Sequence, residues 1–161
     1  MQKTSKRIGE ILLELEFITE AQLNDALQEQ KIGYEFLGRI LIKQGSITEA
    51  NLMEALSVQF NIPMVDTSNQ HIDMVLVKSF SSSLILDHKC FPLYKDEDKI
   101  TVAIVNPLNA VAISKLEEEA RPRRLSLVLT SQTQMQALIN DYRKSISDSI
   151  RKLLNKGKDK G

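Results

Sequence analysis

Residues 7–30 read RIGEILLELEFITEAQLNDALQEQ, and residues 36–59 read FLGRILIKQGSITEANLMEALSVQ. The two stretches are offset by 29 residues, and 11 of their 24 positions are identical. The identities include Thr, Glu and Gln as well as apolar residues, so helical patterning alone does not explain them. A tandem repeat of this kind indicates two copies of one supersecondary unit packed together. Two equivalent units offer two equivalent half-sites, which suits a ligand with two-fold symmetry.

Each repeat is predicted to form a helix, a short turn and a second helix. In the second copy, Gly45 is a typical residue to end a helix, and Thr48 is a typical N-cap for the next one. In the first copy, Thr19 and Gln22 form the pattern of a capping box. Glu16 takes the place of Gly45, so the first turn either has another conformation or tolerates a strain of roughly 1 kcal/mol.

Glycine stands near the start of the first helix of each repeat, in Arg7-Ile8-Gly9 and in Phe36-Leu37-Gly38. One explanation is a close approach of the backbone to a flat ligand, with N–H groups free at a positive helix end. The other is tight packing between helices, which we favour on the sequence alone.

The pattern changes after residue 60, and the whole chain is predicted to be α+β. A four-helix module made of two tandem helix-turn-helix repeats (1–60) is followed by a small α/β sandwich with a mixed sheet (61–143). We expect strands over residues 62–66, 89–94, 99–105 and 125–129, and helices over 110–120 and from 131 onward. Residues 144–161 are predicted to be a helical extension that becomes a flexible tail or linker.

Composition excludes several classes of protein. The 161 residues contain 21 basic and 21 acidic side chains, so no overall positive charge points to DNA or RNA binding. No apolar run has the length of about 20 residues that a membrane-spanning helix needs, so membrane insertion is not expected. The single cysteine, Cys90, is expected to be a buried structural thiol in a cytoplasmic protein.

Motifs for catalysis are missing from the sequence. There is no phosphate-binding loop of the G-x-x-x-x-G-K-[ST] type, and His71 and His88 are too few for an ordinary zinc site. We therefore predict no catalytic residues, no metal and no cofactor, and interpret the chain as a binding or regulatory module rather than an enzyme.

The repeat closely resembles the N-terminal domain of the bacterial ATPases of type II secretion and type IV pilus assembly, called the MshEN or GspE N-terminal domain. The segments IPMVD (62–66), FPL (91–93) and IVNPL (104–108) extend the resemblance over most of the chain. It implies a cytoplasmic domain in protein transport that docks onto the cytoplasmic part of an inner-membrane platform protein. It also implies an ATPase domain as a partner, in the same chain or in another.

A subset of this family binds cyclic di-GMP, and each repeat holds one half of the dinucleotide. By that resemblance, arginines would contact guanine or phosphate, leucines would form apolar walls, and the backbone at the glycines would approach a purine edge. The ligand-binding residues implied are Arg7, Ile8, Gly9, Leu23, Leu27, Gln30, Leu37, Gly38, Arg39, Leu52, Leu56, Gln59 and Asn106. Three positions depart from the family pattern: Glu16, Phe36 and Asn106.

The alternative is an adaptor that binds the platform protein through the α/β half and uses no nucleotide. The sequence features that favour the nucleotide are Arg7, the two glycines, and the glutamines that end both repeats. A plain core role for most of the leucines is compatible with either function.

Overall fold

The computed structural model describes residues 4–160, and this range contains eight helices and three strands. The helices are α1 (Ile8–Glu14), α2 (Glu20–Ile32), α3 (Leu37–Lys43), α4 (Glu49–Phe60), α5 (Met74–Ser79), α6 (Ser82–Leu86), α7 (Ala110–Ala120) and α8 (Gln132–Lys158). The strands are β1 (Cys90–Lys95), β2 (Lys99–Ile104) and β3 (Arg124–Leu129).

The chain divides into two compact units, Met1–Met64 and Val65–Gly161. The first unit holds the four helices of the repeats, and the second holds the sheet and the remaining helices. This order of elements is the predicted α+β class. The ends of the predicted segments 1–60 and 144–161 include residues 1–3 and 161, which lie outside the described residues.

The second helix of each repeat begins in the same way. The N-cap Thr19 has φ −92° and ψ 163°, and Thr48 has φ −90° and ψ 165°. Each hydroxyl oxygen accepts a hydrogen bond from the backbone N–H three residues later, at 3.2 Å from Gln22 and 3.1 Å from Asn51. The predicted capping box at Thr19 is confirmed, and a second one is present at Thr48.

The first helix of each repeat ends in a Schellman motif. In α1 the N–H of Glu16 bonds to the Leu13 carbonyl and that of Phe17 to the Leu12 carbonyl, both at 3.0 Å. The equivalent bonds at the end of α3 are formed by Gly45 and Ser46, at 3.0 and 2.9 Å. Glu16 has φ 59° and Gly45 has φ 73°, so the first turn keeps the conformation and Glu16 tolerates the strain.

The four helices exchange partners between the repeats. Helix α1 packs on α4, and α3 packs on α2. These two pairs are interchanged when the two repeats are interchanged, as approximate two-fold symmetry requires. Between them lies an apolar core that includes Ile11 and Leu12 of one repeat and Ile40 and Leu41 of the other.

The second unit is built on a three-stranded mixed sheet in the order β1-β2-β3. Strands β1 and β2 form the predicted antiparallel hairpin, and β2 pairs in parallel with β3 through the crossover helix α7. Consecutive residues are buried in β1 (90–93) and β2 (100–104), so both faces of the sheet are covered. Pro92 lies in β1, an edge strand, where a missing N–H donor is tolerated.

The strand expected over residues 62–66 does not form. Within this stretch only Met64 forms an isolated β-bridge, and the N–H of Val65 bonds to the Leu129 carbonyl at 2.9 Å. The Asp66 carboxylate then accepts the N–H of Ser68 at 2.9 Å, which makes an Asx turn. The turn directs the chain away from β3 after the single backbone bond to Leu129, so residues 62–66 do not pair with β3 as a strand.

Helix α8 continues as one helix from Gln132 through Gly157 to Lys158, so a helical extension is present after residue 143. A single glycine destabilises a helix by about 1 kcal/mol, and the nearby leucine and lysine residues offset this because they favour the helical conformation. The flexible tail or linker at the end of residues 144–161 stays a prediction. No helix in residues 4–160 combines the length and apolar character needed to span a membrane.

Candidate functional site

The segments that lead into α1 and α3 are equivalent, and we call residues 6–9 and 35–38 the repeat heads. Each head is held by the glutamine that ends the other repeat. Gln59 Nε2 donates to the Lys6 carbonyl at 3.3 Å, and Gln30 Nε2 donates to the Glu35 carbonyl at 3.1 Å. Lys6 and Glu35 are 29 residues apart, so the two bonds are equivalent and reciprocal.

The predicted contact residues Gln30 and Gln59 therefore have a structural role in this fold. Gln59 is only 8% exposed, and Gln30 is half-buried. An amide has one oxygen and two N–H donors, so each side chain retains polar groups beyond the bond described. The glutamines fix the backbone from which Arg7 and Phe36 project.

The glycines of the heads are packing positions. A Cβ at Gly38 would lie 2.5 Å from Leu52 Cδ1, and one at Gly9 would lie 2.8 Å from Leu23 Cδ1. Tight packing between helices, favoured from the sequence, is thereby confirmed. The same Cβ at Gly9 would lie 3.4 Å from Leu37 Cδ2, so the two heads meet.

The structure brings most of the predicted apolar site residues into one cluster around the heads. Leu37 is buried in the core of the helical unit, and Ile8, Leu23 and Leu52 pack against that core while partly exposed. Leu56 is 8% exposed and lies outside this cluster. Leu27 is 37% exposed. A ligand at the heads would therefore find a few leucine edges rather than a deep apolar pocket.

The side chains with free polar or aromatic groups are Arg7, Arg39 and Phe36. Both arginines are exposed, and within residues 4–160 neither guanidinium has a recorded hydrogen bond or ion pair. Phe36 is the N-cap residue of α3 and is 59% exposed. A flat guanidinium pairs with phosphate or stacks on a base, and a phenyl ring stacks on a base.

The heads carry opposite charges. In the first repeat Lys6 pairs with Glu14 at 2.6 Å, and in the second Glu35 pairs with Lys43 at 2.7 Å. The paired positions are equivalent, so one geometry is conserved between the repeats with the charges reversed. The pairs are largely exposed and contribute little stability. Their consequence is electrostatic, because the first head is cationic and the second carries a carboxylate.

Asn106 belongs to the second unit. Its Oδ1 accepts the N–H of Leu108 at 3.0 Å, and its carbonyl accepts the N–H of Asn109 at 3.3 Å. Asn109 is in turn the N-cap of α7, and its side chain accepts the N–H of Ala112 at 3.0 Å. The side-chain oxygen of Asn106 thus shapes the loop before α7, while its amide N–H groups have no recorded partner among the described residues.

Cys90 has the expected environment of a structural thiol. It lies buried at the start of β1, and burial raises the pKa of the thiol to about 12. A thiol with that pKa is almost entirely protonated near neutral pH and is a poor nucleophile. In the described part of the chain, no group of three or more His, Cys, Asp or Glu side chains is arranged to hold a metal ion.

Sequence reasoning missed the roles of Lys6 and Glu35, which supply the carbonyls that the glutamines hold. The repeat offset relates the two positions, but their side chains differ in charge, so nothing in the sequence alone indicated a shared role.

Comparisons with known proteins show which proteins share this architecture. The family model of the MshEN domain matches residues 60–149. A structure of MshE with cdg, the ligand cyclic di-GMP, is 26% identical with a TM-score of 0.78, and the match covers 85% of this chain and 99% of that chain. That share of this chain is too large to lie within residues 65–161 alone, so it includes part of the helical unit.

Two structures of the N-terminal domain of XpsE have the same fold. They are 19% and 21% identical, with TM-scores of 0.67 and 0.53, and the matches cover 87% of this chain and 96% and 98% of those chains. No curated protein sequence matches the chain. The family model covers more than half of the sequence, and the chain belongs to the MshEN domain family.

Proposed function

We propose that this chain is a non-catalytic regulatory domain that binds cyclic di-GMP, with one repeat head for each half of the ligand. The observation that carries the proposal is the pair of adjacent heads held by reciprocal bonds from Gln30 and Gln59. The similarity to MshE, whose structure contains this dinucleotide, supports it. The ligand is two-fold symmetric, as the helical unit approximately is.

The groups at the heads suit the chemistry of this ligand. Arg7 and Arg39 are exposed cations for its phosphates, and charge-assisted bonds of this kind are stronger than neutral ones. The exposed ring of Phe36 offers a stacking surface for a guanine. The half-buried edges of Leu23 and Leu52 lie beside the heads as apolar contacts.

The opposite charges of the heads give the two halves of the ligand different surroundings. Lys6 and Arg7 make the first head favourable for a phosphate. At the second repeat, Glu35 is paired with Lys43, Arg39 is the exposed cation, and Phe36 favours contact with a base. We infer that charge contributes at both repeats and that stacking is added at the second.

Isothermal titration calorimetry of the whole chain with cyclic di-GMP tests the proposal. We expect saturable binding of one ligand per chain at micromolar affinity or better, and no comparable heat with GTP or cyclic di-AMP. Absence of heat at high ligand concentration, on protein shown to be folded, would remove the nucleotide function.

Two substitutions test how much each head contributes to the binding of the ligand. Arg7→Ala is expected to weaken binding roughly 10- to 100-fold through loss of a charged contact. Phe36→Ala is expected to weaken it about 5- to 150-fold through loss of stacking. Arg151→Ala and Tyr34→Ala are matched controls, because both residues are exposed and lie outside the heads. Equal affinities for Arg7→Ala and wild type would take Arg7 out of the site.

The resemblance to ATPase N-terminal domains supports a second candidate, docking to a platform protein through the α/β unit. The observation that favours it is an exposed apolar pair at the start of α7, where Leu108 is 44% and Val111 is 62% exposed. Leu108 lies just before the N-cap of α7 and Val111 lies in its first turn, and exposed apolar side chains of this kind suit a protein contact.

A pull-down with the cytoplasmic part of the platform protein distinguishes the two candidates. The docking function predicts capture that persists without nucleotide and is lost with Val111→Asp. Val75→Asp is the matched control, because Val75 is also exposed in the same unit. Capture that depends on cyclic di-GMP would instead make docking a consequence of ligand binding.

A further inference from the structure

The second half of α8 carries an apolar stripe that is half-buried at Ile146 and exposed from Ile150 onward. The first half buries Met135, Leu138, Ile139 and Tyr142. The same side of the helix continues with Ile146, Ile150 and Leu153, and Leu154 lies beside it. We call Ile146, Ile150, Leu153 and Leu154 the C-terminal stripe.

Burial ends sharply along this helix. Ser149 accepts a hydrogen bond from Lys78 Nζ of α5 at 3.1 Å, and every residue from 150 to 160 is exposed. Ile150, Leu153 and Leu154 have exposed fractions of 53%, 70% and 64%. A helix with an apolar stripe of this kind normally places it against another surface.

The charges around the stripe indicate what that surface is. Residues 143–160 contain seven basic side chains and two acidic ones, an excess of five positive charges in a chain whose net charge is zero. The basic residues are Arg143, Lys144, Arg151, Lys152, Lys156, Lys158 and Lys160. A cationic amphipathic helix is typical of segments that lie on a membrane with anionic lipids.

A second copy of the helix is a poor partner. If Ile139, Ile146 and Leu153 take the a positions of a heptad, the d positions hold Tyr142, Ser149 and Lys156. If they take the d positions, the a positions hold Arg143, Ile150 and Gly157, so only the short stretch from Ile146 to Leu153 is apolar at both. A coiled coil needs apolar residues at both positions. Two parallel copies would also bring their seven basic residues together.

We propose that the second half of α8 binds the surface of a membrane containing anionic phospholipid, with the C-terminal stripe in the headgroup boundary. The helix lies on the membrane and does not cross it. This contact is separate from the repeat heads and holds whether or not the chain binds cyclic di-GMP.

Sedimentation with lipid vesicles tests the proposal on the whole chain. We expect binding to vesicles of equal parts phosphatidylcholine and phosphatidylglycerol, and no binding to phosphatidylcholine alone. Removing two of the basic residues with Lys152→Gln and Lys156→Gln should weaken binding about thirty-fold. The double variant Leu153→Gln and Leu154→Gln should also lose it, since the apolar contact is removed.

Matched controls carry the same changes elsewhere in the unit. Lys95→Gln with Lys115→Gln, and Val111→Gln, alter exposed residues away from α8 and should bind as wild type does. Helix content and melting temperature are measured for every variant. Absence of binding to the anionic vesicles, binding that the α8 variants leave unchanged, or a concentration-dependent dimer without lipid binding would each overturn the proposal.

Discussion

Glu16 shows how a single residue can keep a fold while departing from its sequence pattern. Its φ of 59° lies in the left-handed region, where a side chain costs about 1 kcal/mol relative to glycine. The Schellman bonds around it match those at Gly45. The bonds and the core on either side of the turn hold the residue in a conformation that its own preference opposes.

Exchanging the residues at these two turns should have opposite effects. Glu16→Gly is expected to raise the free energy of unfolding by up to about 1 kcal/mol, and Gly45→Glu to lower it by a similar amount. No atom of residues 4–160 lies within 4 Å of a Cβ at Gly45, so backbone strain is the main cost there. Urea denaturation measures both changes. A loss of stability with Glu16→Gly would show that the glutamate makes a compensating contact.

Asp96 makes stability depend on acidity. Its carboxylate accepts the N–H groups of Asp98 and Lys99 at 2.9 Å, and these bonds hold the pKa of Asp96 below its ordinary value of 3.8. The ionised form is therefore favoured in the folded state. Its contribution to stability is complete above pH 3.8 and is lost as the pH falls through the lower folded pKa.

Asp96→Asn should remove this contribution. We expect the variant to be less stable than wild type at neutral pH, with the difference shrinking below pH 3.8, where wild-type Asp96 gains its proton. Urea denaturation at neutral pH and below pH 3.8 measures the difference in stability between the variant and wild type. Glu97→Gln, in the same turn, is the control, since no hydrogen bond of the Glu97 side chain is recorded among the described residues. A difference that stays constant with pH would contradict this account.

At the scale of helices and strands, a prediction succeeded where the structure depends on residues close together in the sequence, and failed where it depends on a distant partner. The helix starts at Thr19 and Thr48 depend on residues three positions apart, which the sequence shows directly. The strand over 62–66 failed because a strand needs a partner along its length. The Asx turn at Asp66 limits the pairing to one bond, beside Leu129.

Helix packing at the heads gives a test of the repeat geometry. Gly38→Ala would place a Cβ 2.5 Å from Leu52 Cδ1 and 3.3 Å from its Cγ, so the whole leucine must move. We expect a loss of about 1–3 kcal/mol in the free energy of unfolding. Gly9→Ala should cost less, since its nearest contact is longer and made by the end of Leu23.

Gly33→Ala is the matched control for these variants. Gly33 has φ −122°, and no neighbour in the described part of the chain lies within 4 Å of an added Cβ, so alanine should be tolerated. Thermal unfolding ranks the three variants. A Gly38→Ala protein as stable as Gly33→Ala would show that the leucine relaxes freely and that the glycine is not needed for packing.

At the scale of the whole molecule, the repeat in the sequence predicted the two-fold helical unit, and the alternation of strands and helices after residue 60 predicted the mixed sheet. Neither could show that Gln30 and Gln59 hold the head of the opposite repeat. The bond from Gln59 to Lys6 joins residues 53 positions apart and depends on the packing of α4 against α1, which no local pattern contains. The opposite charges of Lys6 and Glu35 could be interpreted only once the structure had shown that the two heads are adjacent.

The central claim is that one ligand engages both heads at once, and nuclear magnetic resonance of the labelled whole chain tests it most directly. Titration with cyclic di-GMP should shift the backbone amide signals of Gly9 and Gly38 together, and both shifts should be complete at one ligand per chain. Shifts in only one head, completion at two ligands per chain, or no shift in either head would contradict the account.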